Sequence, residues 1–342
     1  MEVDASQAAP LREIARIDVG KYPGDVAYGE GAAWVTNYEG DLLKIDPATN
    51  DVVSTIPILR EDDNGTSIDE GGQDSGTRPD AGLAFGALTV GEGSVWVTAH
   101  GCTLFKVDPV SERVVSERHL RGCYRPIVAE GGSVWLGVAN GAPGSGGFIA
   151  RLDPETLETQ AEVPIGVCCV SGMAYEQGAL WVGRQDVGNW DGSTDDEEPT
   201  ASLRVELLRI DPASNTVSDS IPLKGHLYRA GDTVLSDTIT AGNGAVWLTR
   251  PEAGSVDRIE LTEFRVTEMP FDSFDLPDYP VILGDDVVVS ELNGPQLAVI
   301  DATGEDPIEI LDTGSGIGSI ASDGESLWIL HPKQRVLVRL SR

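Results

Sequence analysis

Lysine is scarce in this sequence of 342 residues and occurs only at positions 21, 44, 106, 224 and 333. The 24 lysines and arginines stand against 56 aspartates and glutamates, which leaves a formal net charge of −32. A surface with this charge repels phosphate backbones, so the composition argues against a nucleic-acid partner. It favours an extracellular or cell-surface protein, either secreted or tethered.

Long apolar runs are missing as well. No run reaches the roughly eighteen apolar residues that a membrane-spanning helix needs, so we expect no transmembrane segment. The first four residues are Met-Glu-Val-Asp, and no apolar segment typical of a signal peptide follows them. We expect residues 1–10 to be a flexible leader of a mature or trimmed chain, with a signal peptide or anchor absent from this sequence.

A stretch of about forty residues returns seven times along the chain, which is the period of propeller blades. In the first copy Trp34 is followed by Ile45-Asp46-Pro47 and then by a β-branched run that ends at Pro57. The equivalent positions in the seven copies are Trp34, Trp96, Trp135, Trp181, Trp247, Val288 and Trp328. The repeat predicts an all-β fold, a seven-bladed β-propeller of four-stranded antiparallel blades. The tryptophans are expected to pack one blade on the next rather than to form a ligand cage.

The two chain ends indicate how the ring closes. The last copy stops at its third run, Val336–Leu340, and leaves no residues for a fourth strand. Residues 12–19 resemble the outer run of the first copy, so we predict that this N-terminal strand pairs with the C-terminal blade. Residues 11–342 would then form a single propeller domain with insertions at 59–82 and 186–202. An open solenoid and an eight-bladed ring are the alternatives.

One face of such a propeller carries the loops between the second and third strands and the connections between blades; we call this face the mouth. The opposite face repeats Asp-Pro and Gly-Glu-Gly turns, whereas the mouth carries unrepeated polar and aromatic residues, as binding sites on loops do. Arginines there can hold a carboxylate or phosphate, or each can pair with a neighbouring acidic residue. The candidate ligand-binding residues are Tyr38, His100, Arg125, Arg184, Tyr228, Arg250, Glu252 and Asn293.

Three residues of the mouth are candidates for catalysis: His226, His331 and Glu291. Histidine serves as a general base or a metal ligand near neutral pH. His226 together with Glu291, Glu252 or His331 forms the most credible local set. The alternative interpretation is that these histidines are solvated surface residues without a role in catalysis.

The second insertion contains a partial match to a calcium-binding loop. Asn189, Asp191, Gly192, Asp195 and Glu198 fall at positions 3, 5, 6, 9 and 12 of the loop template. Position 1 is Val187, whose side chain cannot ligate a cation, and the flanking helices are absent. A calcium site is therefore weighed against a flexible acidic flap.

Four cysteines are present. Cys102 and Cys123 lie in two loops that should emerge next to each other on the mouth, so a disulfide between them is expected, and it would favour an exported protein. Cys168 and Cys169 are adjacent and could form a vicinal disulfide, remain free thiols or bond elsewhere. The spacing of the four cysteines matches no zinc-binding motif.

The run Trp-Val-Thr-Asn at Trp34–Asn37, with Ile45–Pro47 and the following Val-x-x-x-Ile-Pro, resembles the YVTN-type β-propeller repeat family. The repeats are also similar to those of virginiamycin B lyases, seven-bladed enzymes that open a cyclic depsipeptide with a histidine base and a magnesium ion near glutamates. This resemblance implies that Glu291 lies on the metal side and that His226 or His331 supplies the base. The sequence departs from the lyase pattern Glu-x-His, because Leu292 and Asn293 follow Glu291.

Three functions follow from these observations. The first is a monomeric propeller that binds a small molecule or peptide at the mouth of its central channel. The second is a lyase or hydrolase with a His/Glu site on the same face and a divalent metal, Mg²⁺ or Ca²⁺. The third is a protein-interaction scaffold that uses the blade sides or the acidic insertions.

Overall fold

The sequence repeat folds into seven four-stranded antiparallel sheets. The computed structural model describes residues 10–59, 85–99, 103–120, 126–139, 147–166, 170–186, 204–224, 238–271, 276–292, 294–301 and 307–342. Within six of the sheets the strands follow chain order, and the seventh takes its outermost strand from the N-terminus. The innermost strands of neighbouring sheets contact one another around a common axis. The predicted seven-bladed β-propeller is confirmed.

The first three blades have these strands: β2 (Pro23–Gly29), β3 (Ala32–Asn37), β4 (Asp41–Asp46) and β5 (Asp51–Pro57); β6 (Phe85–Gly91), β7 (Ser94–Ala99), β8 (Thr103–Asp108) and β9 (Arg113–His119); β10 (Ile127–Ala129), β11 (Val134–Ala139), β12 (Gly147–Leu152) and β13 (Thr159–Gly166). The fourth and fifth blades have these: β14 (Val170–Glu176), β15 (Ala179–Asp186), β16 (Arg204–Asp211) and β17 (Thr216–Leu223); β18 (Ile239–Gly242), β19 (Ala245–Arg250), β20 (Ser255–Glu260) and β21 (Arg265–Pro270). The last two have these: β22 (Pro277–Leu283), β23 (Asp286–Glu291), β24 (Gln296–Asp301) and β25 (Pro307–Asp312); β26 (Ser319–Ser322), β27 (Ser326–His331) and β28 (Val336–Ser341).

The N-terminal strand closes the ring. Strand β1 (Arg12–Asp18) pairs antiparallel with β28, with Arg16 opposite Val338 and Ile17 opposite Leu337, and completes the seventh blade. The innermost strand β2 of the first blade then contacts β26 of the seventh. The predicted closure is confirmed, and the solenoid and eight-bladed alternatives are wrong. No helix in the described ranges is long and apolar enough to cross a membrane.

The tryptophans pack between blades, as predicted. All six that occupy the repeat position are fully buried in the second strand of their blade. Trp34, for example, belongs to one apolar cluster with Val95, Val97 and Phe105 of the second blade. Burial of so large a ring at six of the seven junctions contributes to the stability of the stack.

A cation lies directly opposite each of these six tryptophans, on the third strand. Its charged group is between 4.7 and 6.0 Å from the indole ring centroid, within cation–π distance. In the sixth blade both members of the pair are valines, Val288 and Val299. The six pairs are Trp34–Lys44, Trp96–Lys106, Trp135–Arg151, Trp181–Arg209, Trp247–Arg258 and Trp328–Arg339.

Several of these cations also bond the next blade, and we call such a bond an inter-blade latch. Lys44 Nζ donates to Pro109 O at 2.8 Å and to Glu112 at 2.9 Å. Arg151 donates in the same way to Pro212 O at 2.5 Å and to Asn215 at 2.9 Å.

The same latch crosses the closure of the ring. Arg339 of the seventh blade donates to Pro47 O at 2.7 Å and to Asn50 Oδ1 at 3.2 Å in the first blade. Each latch therefore satisfies a turn carbonyl of the following blade on the face opposite the mouth.

Candidate functional site

The second strand of every blade ends at the mouth. The residues near these seven strand ends therefore occupy equivalent positions on this face. Each position lies three residues after the tryptophan or after Val288. Four of them are predicted site residues, which the repeat places on one end of the propeller. The seven positions hold Asn37, Ala99, Val138, Arg184, Arg250, Glu291 and His331.

Arg184 is engaged in an ion pair within its own blade. Its Nη1 lies 2.7 Å from Glu206 Oε2, and the side chains are 14% and 17% exposed. Glu206 is the cross-strand partner of Arg184 on the neighbouring strand β16. The guanidinium is thus held beside a carboxylate at the junction with the third blade, close to Gly166.

Arg250 lies in a buried polar cluster of the fifth blade. Its Nη1 is 3.3 Å from Asp257 Oδ2 and 3.9 Å from Glu268 Oε1, and both Arg250 and Asp257 are almost fully buried. Burial is the largest influence on Asp257 and raises the pKa of its carboxyl to about 6, while Arg250 and Lys224 oppose the rise and Glu268 adds to it. Within the described ranges, Arg250 Nε, Asp257 Oδ1 and Ser255 Oγ are buried without a hydrogen-bond partner.

His331 is buried rather than solvated. Its side chain is 1% exposed, and Nδ1 donates to Gly316 O at 3.2 Å. Burial lowers the pKa of His331, so the ring is neutral at pH 7. Its Nε2 is enclosed without a hydrogen-bond partner in the part of the chain that the structure describes.

Glu291 lies at the equivalent end of the neighbouring sixth blade and is half-buried. Its Oε2 accepts the Gln296 N–H at 3.3 Å and so closes the loop between β23 and β24. His331 and Glu291 therefore share the mouth end of adjacent blades, and each has a bond to a nearby backbone group. Among the described residues, no group of three His, Cys, Asp or Glu side chains could hold a metal ion.

A small polar cleft opens at the mouth between the first and second blades. Its volume is about 10 Å³, which is room for about one water molecule, and it is lined by Gly24, Asp25, Thr36, Asn37, Tyr38, Gly86 and Ala87. Of the predicted residues, only Tyr38 lines it.

Asp25, Gly24 and Gly86 were not among the predicted site residues. Gly24 and Gly86 occupy equivalent places in their blades. Each follows the first paired residue of its innermost strand, since Pro23 lies opposite Asn37 and Phe85 opposite Ala99, and in both strands the register shifts directly after that pair. A Cβ on Gly86 would lie 2.6 Å from Thr98 Oγ1, and one on Gly24 would lie 3.2 Å from Thr36 Oγ1. Glycine at the start of an innermost strand, thirteen residues before the end of the second strand, is the signal that marks this place.

The remaining predicted residues lie outside the described residues. This holds for the side chain of Glu252, whose backbone belongs to the 3-10 turn Pro251–Ala253. It also holds for the ligand, catalytic and calcium candidates and for every cysteine, namely His100, Arg125, His226, Tyr228, Asn293, Asn189, Asp191, Gly192, Asp195, Glu198, Cys102, Cys123, Cys168 and Cys169. The proposed calcium loop and disulfides stay predictions.

No protein-family model matches this chain, and no curated protein sequence matches it, so membership of the YVTN-type family is not confirmed. Among solved structures the chain is similar to a catalytically inactive virginiamycin B lyase from Staphylococcus aureus with quinupristin, at 17% identity and a TM-score of 0.65 over 97% of this chain and 99% of that one. It is also similar to Kuenenia stuttgartiensis hydrazine synthase (11% identity, TM-score 0.64, 94% and 95% covered).

A third similar structure is the β-propeller domain of Myceliophteria thermophila Cps50 (Swd1), at 9% identity and a TM-score of 0.68, with 97% of this chain and 100% of that one covered. These likenesses are too remote in sequence to carry an activity. They show that this chain has the β-propeller fold that a lyase, a synthase and a Swd1 domain also use.

Proposed function

We propose that this protein binds a small-molecule or peptide ligand at the mouth of its central channel, without turnover. The observation that carries the proposal is the difference between the two faces. On the face opposite the mouth, the same polar contacts recur from blade to blade. At the mouth, seven equivalent positions hold six different residue types, with arginine the only one used twice. Five of these side chains are buried, so they shape the loops of the mouth and do not themselves contact a ligand.

The contacts of the opposite face serve the scaffold. Asp46, Asp108, Asp153 and Asp211 each accept backbone N–H bonds from the turn that follows them. These bonds lower the pKa of Asp108, Asp153 and Asp211. The carbonyls of the same turns receive the inter-blade latches. The polar groups of this face are therefore bonded within the fold. Variation between blades at the other face is typical of a recognition surface.

Catalysis receives less support from the described residues. Burial keeps His331 away from solvent, and one carboxylate oxygen of the half-buried Glu291 is bonded to its own loop. The lyase alternative then depends on His226, which lies outside the described residues. If it operates, His226→Ala should abolish turnover of a cyclic depsipeptide in the presence of Mg²⁺; unchanged turnover would remove that alternative.

We also propose that the protein is secreted or surface-tethered. The net charge of −32 supports this, because such a surface stays hydrated and repels other acidic surfaces. The acidic surface also bears on the ligand, since it favours groups of positive charge over phosphates and carboxylates.

The experiment is a thermal-shift screen of a random peptide library and a metabolite library, followed by two matched variants of the protein. Glu39 is exposed in the turn after β3 at the mouth, and Glu325 is exposed in the turn before β27 on the opposite face. Glu39→Trp should obstruct binding of a hit, whereas Glu325→Trp, the same chemical change, should leave it intact. Loss of binding in Glu325→Trp alone would place the ligand on the wrong face and refute the proposal.

A further inference from the structure

We propose that the mouth end of the seventh blade binds the carboxylate groups of an acidic peptide segment. The inference rests on the proposed function and deepens it, because it names the class of ligand that this part of the mouth recognises. The surface, which we call the closing patch, consists of Lys21, Tyr22, Lys333 and Arg335.

The seventh blade has the opposite charge from the chain as a whole. Residues 12–22 and 319–342 form its four strands and the connection to the first blade, and they contain seven lysines and arginines but only four aspartates and glutamates. Their net charge is therefore +3, while the whole chain carries −32. The acidic surface in general favours positively charged groups, and the seventh blade is a local exception.

Four of the seven cations of this blade are not available at the mouth. Three of them form ion pairs with acidic side chains and the fourth lies at the opposite end of the blade, and these are Arg16, Arg339, Arg342 and Arg12. The remaining three, Lys21, Lys333 and Arg335, are exposed. Among the residues that the structure describes, none of these three side chains has an acidic partner.

Backbone contacts place the three free cations on neighbouring segments. Lys333 and Arg335 lie in the turn between β27 and β28, and Lys21 lies in the connection from β1 to β2. The Val19 N–H donates to Arg335 O at 3.0 Å, so the turn and the connection run side by side at the mouth. A carboxylate at this place meets cations from both segments, and charge-assisted hydrogen bonds of this type are the strong ones.

Arg335 occupies a position where the fold accepts glycine. In the first and fifth blades the residue directly before the third strand is Gly40 or Gly254, with φ values of 95° and 59°. Arg335 has the same place before β28 and a φ of 62°. Glycine adopts this left-handed conformation at lower energy than any residue with a Cβ. The turn itself does not require an arginine, so its side chain is available for recognition.

Tyr22 adds an aromatic surface next to Lys21. Its side chain is 64% exposed, and its φ of 53° is a conformation that bulky residues rarely adopt. The Tyr38 N–H donates to Tyr22 O at 2.8 Å, which anchors this residue at the mouth. A peptide whose carboxylates contact the cations can therefore pack an aromatic side chain on this ring.

The adjoining segments also carry acidic side chains. Asp18 Oδ1 accepts the Gly20 N–H at 2.9 Å, and Glu39 is exposed on the loop of the first blade. These two charges do not cancel the three cations. Acidic residues farther away are screened beyond about 8 Å at physiological ionic strength, so the nearby cations decide what binds. A phosphate group carries up to about twice the charge of a carboxylate and is repelled more strongly by the remaining surface, which favours the carboxylate.

The test is an NMR titration at about 0.15 M salt with two blocked peptides, acetyl-Glu-Glu-Trp-Glu-amide and the neutral acetyl-Gln-Gln-Trp-Gln-amide. The acidic peptide should shift the backbone amides of Lys21, Tyr22 and Arg335 in a saturable way. The neutral peptide should bind about tenfold more weakly, because it offers the cations no charged partner.

A pair of double variants separates the patch from the general field of the molecule. Lys333→Gln with Arg335→Gln should weaken binding of the acidic peptide about three- to thirtyfold, as the loss of two exposed ion pairs predicts. Arg12→Gln with Arg113→Gln is the matched control. It removes the same charge from two exposed residues at strand ends on the face opposite the mouth, and it should bind the peptide as the native protein does.

Arg335→Gly tests whether the side chain serves recognition or the turn. Glycine relieves the left-handed backbone, so the variant should keep or raise the melting temperature while it binds the acidic peptide more weakly. A lower melting temperature with unchanged peptide binding would show that the arginine serves the turn, and it would contradict the proposal.

Equal weakening by the two double variants would mean that the peptide responds only to net charge, and the patch would be refuted. Equal binding of the acidic and neutral peptides, or amide shifts confined to the opposite face, would also refute it. A failure of the proposed function looks different, because then no peptide or metabolite binds the mouth. If only the patch fails, library hits still bind the mouth and are insensitive to Lys333→Gln with Arg335→Gln.

Discussion

Replacement of Arg151 by methionine tests whether the inter-blade latch stabilises the ring. The guanidinium lies 5.0 Å from the Trp135 ring centroid, donates from Nε to Ser133 at 2.8 Å, and bonds Pro212 O and Asn215 in the next blade. Methionine keeps an aliphatic stem over the indole ring but removes every donor.

The expected loss follows from these contacts. A hydrogen bond from a charged group contributes about 1.5–3 kcal/mol, and a cation–π contact at an exposed site about 0.5–1 kcal/mol. Because Arg151 is half-buried and such terms do not add fully, we expect Arg151→Met to lower the free energy of unfolding by about 2–4 kcal/mol.

Arg209 provides the matched control. It occupies the equivalent position over Trp181 at 6.0 Å, but its bonds go to Ser218 and Asp219 of its own blade. Its ion pair with Asp219 is about one-third exposed on each side, and exposed pairs contribute about 0–1 kcal/mol. Arg209→Met should therefore cost about 1 kcal/mol.

The assay is urea unfolding followed by both tryptophan fluorescence and far-UV circular dichroism. Coincident transitions license a two-state free energy. Equal losses in Arg151→Met and Arg209→Met would refute the reasoning, because the bonds to the next blade are what distinguish the two arginines. Arg151→Lys should recover part of the loss, since Lys44 makes the same kind of latch with an ammonium group.

Three further predictions concern burial, pH and the cysteines. Trp247→Ala should cost about 3–5 kcal/mol of unfolding free energy, since the ring is fully buried; a loss below 1 kcal/mol in urea unfolding would contradict the packing role. Burial raises the pKa of the Asp257 carboxyl to about 6 in the folded protein, above its unfolded value. Protonation of this carboxyl therefore contributes about 3 kcal/mol to the free energy of unfolding below about pH 4, and this stabilisation is lost as the pH rises through 6. The stability of the native protein relative to Asp257→Asn should fall accordingly between pH 4 and 7.5, and a flat difference would exclude the shift. Mass spectrometry of the unreduced protein should show a cross-linked Cys102–Cys123 peptide, and two free thiols there would end that idea.

The fold could be predicted from the sequence because its determinants are local and repeated. The period of the tryptophans, the Asp-Pro turns and the resemblance of residues 12–19 to an outer strand predicted seven blades and their closure. These signals repeat because each blade buries equivalent side chains against the next blade. Even the exception is consistent, since Val288 lies opposite Val299, where other blades place a tryptophan opposite a cation.

The candidate site was less predictable. The repeat placed Arg184, Arg250, Glu291 and His331 at one end of the molecule, but it left open whether each was available to a ligand. The two arginines have acidic partners, as one of the two interpretations held, and His331 is enclosed rather than solvated. The cleft was missed because Asp25 belongs to an innermost strand with no distinctive motif around its carboxylate.

What the sequence determined by itself is the repeating architecture: strand periodicity, turn chemistry and the apolar side chains that seven stacked sheets must bury. Only the tertiary structure decided which polar groups are consumed by the fold and which are left at the mouth. The physical reason is that pairing and burial depend on contacts between residues far apart in the chain. Lys44 and Glu112 are an example: stacking of the blades, rather than any local pattern, brings them within 2.9 Å.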